Sequence, residues 1–94
     1  PDARVYNYWD SDAPMTTSDG RCKWLLVKHH GELMVLLCTW NPKAATVEVA
    51  LETDALGLNP AQAGNVESKE LIAIKDGKFR FEMPGYGVRV FRIR

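Results

Sequence analysis

No apolar run in this sequence approaches the ~20 residues that a helix needs to cross a bilayer. The longest, Leu33 to Cys38, is six residues, the length of a strand. Charge of one sign is not in excess either, because twelve basic residues cancel twelve acidic ones. Nucleic acid and anionic membrane surfaces both demand concentrated Lys and Arg, so neither is expected as a partner. Cysteine is sparse. Cys22 and Cys38 are too few for a disulfide framework. They fall on consecutive predicted strands, where disulfide geometry is rarely good, and read as free thiols packing like small apolar side chains. No segment repeats at a fixed period, which excludes a solenoid or propeller. Pro1 to Gly20 is mostly polar and offers a translocon no leader to read. The chain opens at Pro1 without an initiator methionine and closes inside the strand-like "MPGYGVRVFRIR". It is therefore expected to be a piece of a longer polypeptide, and the missing leader says nothing about compartment.

Catalytic constellations are missing too. His29 and His30 stand at a predicted hairpin tip, where neighbours on a strand point to opposite faces. A metal site needs three or four converging ligands. Asp10, Asp12 and Asp19 lack the spacing, central Gly and terminal Glu of a calcium loop. Asp54, Glu67, Glu70 and Asp76 fall mostly in turns, and nothing in the pattern pairs any two of them across a bound sugar. Ser11, Ser18 and Ser68 lack the nucleophile-elbow context. The "PGYG" turn is too short to cradle a phosphate and no helix follows it. No catalytic residue, metal or cofactor is expected.

Hydrophobic residues at 46% and charged residues at 26% are ordinary for a globular domain, and 94 residues suit a single one. "CKWLLVKHH" and "ELMVLLCTW" flank Gly31 and predict a β-hairpin. Leu33 to Leu37 is apolar on both faces, as in a central strand with one face in the core and the other partly covered. "TVEVALE" places Val47, Val49 and Leu51 on one face, a half-buried strand. Thr53 to Ala63 reads as a loop with at most one helical turn. Three further strands are expected around Lys69 to Ile74, Lys78 to Met83 and Val88 to Ile93, the first two joined by an Asp-Gly turn in "KDGK". The last alternates poorly, which fits either a bulge or burial on both faces. Val5 to Trp9 can add a short strand ahead of a loop. The sum is an all-β fold, an antiparallel two-sheet β-sandwich of about six to eight strands over residues 1–94, with 1–20 leading into a core of 21–94.

Aromatics carry the one live functional reading. Trp9, Trp24, Trp40 and Tyr86 could form a platform on which pyranose rings stack. Equally, Trp24 and Trp40 could fill the core while Trp9 meets a partner domain. Tyr6, Tyr8 and Trp9 either seal one end of the domain or face a neighbour.

The ordered series "KWLLVKHHGELMVLLCTWNPKAATVEVALETDALGL" and "VESKELIAIKDGKFRFEMPGYGVRVFRI" resembles the C-terminal β-sandwich that follows the (β/α)₈ barrel in glycoside hydrolases of the α-amylase and α-galactosidase type. A hairpin ends at Trp40–Asn41, a strand runs from Thr46 to Glu52, and the "aLGL" turn lies at Ala55 to Leu58. The "dGkf" hairpin follows at Asp76 to Phe79, and "YWD" at Tyr8 to Asp10 looks like the segment leading into such a sandwich. The resemblance implies a non-catalytic accessory domain whose partner is a catalytic barrel of the same chain, with carbohydrate as a second partner. By analogy with that enzyme class it also implies a periplasmic or secreted setting. The catalytic groups would sit on the barrel, so none is carried over. An autonomous carbohydrate-binding module and an immunoglobulin-like interaction domain stand as alternatives.

Overall fold

The computed structural model describes residues 3–94. Nine strands run in order: β1 (Arg4–Asn7), β2 (Met15–Thr17), β3 (Cys22–His29), β4 (Glu32–Thr39), β5 (Ala45–Leu51), β6 (Gln62–Asn65), β7 (Leu71–Ala73), β8 (Lys78–Met83) and β9 (Val88–Ile93). One helical turn, α1 (Thr53–Leu56), separates β5 from β6. The strands form two sheets, a larger one of six ordered β1-β3-β4-β9-β6-β7 and a smaller one of three ordered β2-β5-β8. Every pairing is antiparallel. No helix among the described residues is long and apolar enough to cross a membrane.

This is the sandwich expected, with two short strands added. Met15–Thr17 and Gln62–Asn65 are too brief and too polar to show alternation, and each is recruited by pairing with a longer strand, β5 and β9 respectively.

Alternation decides the core. Cys22, Trp24 and Leu26 of β3, Leu33, Val35 and Leu37 of β4, and Phe91 and Ile93 of β9 point inward from the larger sheet. Val47, Val49 and Leu51 of β5 and Phe79, Phe81 and Met83 of β8 meet them from the smaller one. Phe91 contacts Phe79 and Phe81 across the layers, with ring centroids 5.3 and 4.8 Å apart in edge-on and tilted arrangements, respectively, that the ring quadrupoles favour. Leu56 of α1, 1% exposed, adds a plug to the same core. β9 pairs with β4 at six consecutive positions from Leu33↔Ile93 to Cys38↔Val88, so its poor alternation is not a bulge. Arg89, Phe91 and Ile93 face in, while Val88 and Val90 face out.

Two tight turns set the register. His30 and Gly31 both have positive φ (49° and 78°), as do Asp76 and Gly77 (53° and 75°), the two-residue geometry that matches strand twist. Gly77 is doubly constrained. A Cβ there would lie 2.7 Å from the Leu51 carbonyl oxygen, and its own carbonyl accepts the Leu51 N–H at 2.8 Å. Gly77→Ala must strain the φ and displace the end of β5. A destabilisation of about 1–3 kcal/mol is expected, read as a lower urea midpoint with unchanged slope. Asp76→Gly, which keeps the turn, should cost well under half as much.

Candidate functional site: one end and one outer face

The acids of the first loop turn out to organise turns. Asp10 Oδ2 accepts the Asn7 N–H at 2.7 Å, Asp12 pairs with Arg4 at 3.4 Å, and Asp19 Oδ1 accepts the Arg21 N–H at 2.9 Å. That backbone hydrogen bond, with the Arg21 charge behind it, holds the Asp19 carboxyl below its ordinary value. His29 and His30 lie edge to face at the β3–β4 tip. Among the described residues no three His, Cys, Asp or Glu converge on a metal-sized site. Glu67, Glu70 and Glu82 line an open cleft of about 810 Å³ between the sheets, with Arg80 and Arg89. All three carboxylates are exposed, so no difference in burial assigns one the role of acid and another that of base.

The four candidate aromatics separate. Trp24 is 9% exposed and belongs to the core. Trp9, Trp40 and Tyr86 are 67%, 65% and 68% exposed. They follow β1, follow β4 and precede β9, which places all three at one end of the sandwich. No ring contact among the described residues joins them; Trp9 instead meets Tyr8 edge-on at 4.9 Å. The support beneath Trp40 and Tyr86 is tightly made. Buried Asn41 accepts the Tyr86 N–H at its carbonyl (2.9 Å) and donates its own N–H to Thr39 Oγ1 (3.0 Å). Its Oδ1 receives the Lys43 N–H at 3.0 Å. Tyr86 is held at φ +51° between two glycines. A Cβ on Gly85 would lie 2.2 Å from the Pro42 carbonyl oxygen and one on Gly87 2.3 Å from Pro84.

A second feature sits on the outside of the larger sheet. Directly opposed residues in antiparallel strands point the same way, so the register defines outer rows. One runs Val5–Val27–Met34–Arg92–Gly64–Leu71 and the next Asn7–Leu25–Leu36–Val90. Lys23, Cys38 and Val88 form a third. Val5, Met34, Leu36, Leu71 and Val88 are each 43–63% exposed, while Leu25, Val27, Cys38 and Val90 are half-buried. Trp40 continues the outward alternation of Leu36 and Cys38. The outside of the smaller sheet is the opposite in character. Glu48 pairs with Arg80 at 3.0 Å, Thr46 hydrogen-bonds Glu82, and Thr16 and Lys78 complete a solvated surface. One face is built for water and the other is not.

The fold and its faces can now be set beside known proteins. Residues 1–82 match the model of the family described as glycoside hydrolase 123, C-terminal domain. The chain belongs to that family. No curated protein matches it. Among solved structures it is similar to a GH27 β-L-arabinopyranosidase from Geobacillus stearothermophilus (TM-score 0.62, 17% identity, 80% of this chain, 17% of that one). An Anoxybacillus α-amylase gives a TM-score of 0.64 at 12% identity over 97% of this chain and 18% of that one. A maltogenic α-amylase from Thermotoga neapolitana gives 0.62 at 9% identity, over 96% and 20%. At such identities the likeness is one of fold. The glycoside hydrolase 123 C-terminal domain thus spans a fifth or less of the enzymes whose sandwich it shares.

The cysteines report on the two sides of the larger sheet. Both are free; Cys22 is buried and Cys38 half-buried on the outer face. Burial pushes the Cys22 thiol up to about 11, so at neutral pH it stays protonated and unreactive. At pH 8 a disulfide-exchange reagent is expected to modify Cys38 at least ~10-fold faster than Cys22 in the folded protein. Because the folded-state value is the higher one, Cys22 favours the folded state below pH 9 and loses that contribution as pH rises towards 11. The urea midpoint should therefore fall between those pH values, and fall less in Cys22→Ala.

Proposed function

We propose that this domain is a non-catalytic accessory unit of a glycoside hydrolase, docked on the catalytic domain of the same polypeptide through the outer face of its larger sheet. The observation that carries the reading is the asymmetry between the two outer surfaces. Val5, Met34, Leu36 and Val88 are left in water on one side, whereas the other side is polar and carries the Glu48–Arg80 ion pair and the Thr46–Glu82 hydrogen bond. Covering each such side chain contributes roughly 25 cal/mol per Å² of apolar area removed from water. Membership of a glycoside hydrolase C-terminal family supports the nature of the partner.

Leu36→Asp in the parent polypeptide tests this. Leu36 is 43% exposed but lies on a central strand between Leu25 and Val90, so the isolated chain should lose about 1–2 kcal/mol and stay folded. In the parent, calorimetry should place the catalytic domain's transition where it falls when these residues are deleted. A parent enzyme whose melting ignores both changes would refute the role.

A second reading rests on the rigid, exposed aromatics at the end of the sandwich: Trp40, Tyr86 and Trp9 contribute stacking surface to carbohydrate. Titrating the chain with maltotriose should then give a saturable tryptophan fluorescence change that Trp40→Ala removes with the fold intact. An unchanged spectrum at millimolar sugar would exclude it for that ligand.

A further inference from the structure

The docking face has a charged border whose chemistry specifies more about what covers it. Beside the apolar rows, toward β6 and β7, lies a depression of about 250 Å³. Its floor is Gly64, which stands in the outer row between Arg92 and Leu71. A side chain there would crowd Leu71 Cδ2 at 3.2 Å and fill the hollow. Lys69, Arg92 and Arg94 wall it, and no Asp or Glu side chain among the described residues lines it. Lys69 is carried on a β6–β7 turn that places it at φ +69°, a turn tied by Asn65 Oδ1, which accepts the N–H groups of Glu67 and Ser68.

The two guanidiniums are held from behind. Glu32 Oε1 accepts Nε–H from Arg92 at 3.0 Å and from Arg94 at 2.8 Å. Hydrogen bonds and charge from the pair, Arg94 first, keep Glu32 below its ordinary value and ionised. Both arginines thereby spend Nε on Glu32 and keep their terminal amino groups for another acceptor, the fork suited to a carboxylate. Lys69, Arg92 and Arg94 against Glu32 leave the lining of the depression positive, while Glu67 and Glu70 of the same turn line the cleft between the sheets instead.

We infer that this depression is a socket for a carboxylate side chain presented by the adjoining domain, seated as the apolar rows dock. The inference rests on the docking reading above and adds the charge of the partner surface. A second copy of this chain is the poorer occupant. Among the described residues its own outer face has Glu32 as the one acid on a strand position, already engaged, so two copies would oppose cation to cation. An acidic border on the adjoining domain supplies what the socket lacks and fixes the orientation of docking.

The test uses this chain and the remainder of its parent polypeptide, produced separately, with association followed by calorimetry. Lys69→Glu combined with Arg94→Glu should weaken binding by about tenfold in ~50 mM salt, and the wild-type advantage should shrink to about twofold in ~500 mM salt. Lys69→Arg should bind like wild type. If Leu36→Asp abolishes binding while the charge reversal changes neither affinity nor its salt dependence, the face docks without an acid and the socket is overturned. If Leu36→Asp leaves binding intact, the docking face itself falls. Self-association of the chain at the expense of binding, or no binding at all, overturns both.

Discussion

The contact between Phe91 of the larger sheet and the Phe79–Phe81 pair of the smaller one is the constraint on which the rest depends. The smaller sheet has three strands against six, so it cannot cover its partner by area. It holds by filling the middle with three large rings that also touch one another. Truncating a fully buried phenylalanine typically costs about 3–5 kcal/mol, a large share of the stability of a domain this size. Because this cluster fixes which side of β9 faces in, it also fixes which side of β4 and β3 faces out. The outer rows follow from the core.

Much of this was legible in the chain. Strict alternation in "TVEVALE" and "KFRFEM" gave β5 and β8 with their inward faces, and "DG" gave the turn between β7 and β8. Leu33 to Leu37 announced a strand with one face in the core and the other partly covered, and that doubly apolar run was the available signal for the outer face, where Met34 and Leu36 stay exposed. Its neighbours Leu25 and Val27, and Val88 and Val90 in the poorly alternating last strand, repeated the signal. The irregular strand was irregular because its outer side is apolar too.

What stayed hidden depended on contacts distant in sequence. β2 and β6 are strands because β5 and β9 lie beside them, and nothing in "MTT" or "QAGN" demands extension. Trp24 and Trp40 looked alike as residues, yet β4 alternates through Leu33, Val35, Leu37 and Thr39 inward, which turns Trp40 out. The sequence pattern contained that parity, but the strand's end at Thr39 obscured it. Glu32 and Arg94 are 62 residues apart, and only the β4–β9 register brings them together.

The borders of the larger sheet have a consequence for how such a face survives in water. β1 and β7 are four and three residues long, and Arg4 and the turn residues Lys69 and Glu70 flank them with charge. Strands that short offer few open backbone groups to an incoming chain. Molecules that meet through the bare apolar rows can therefore stick flat against one another, while the edges of the larger sheet give them little hydrogen-bond ladder to extend.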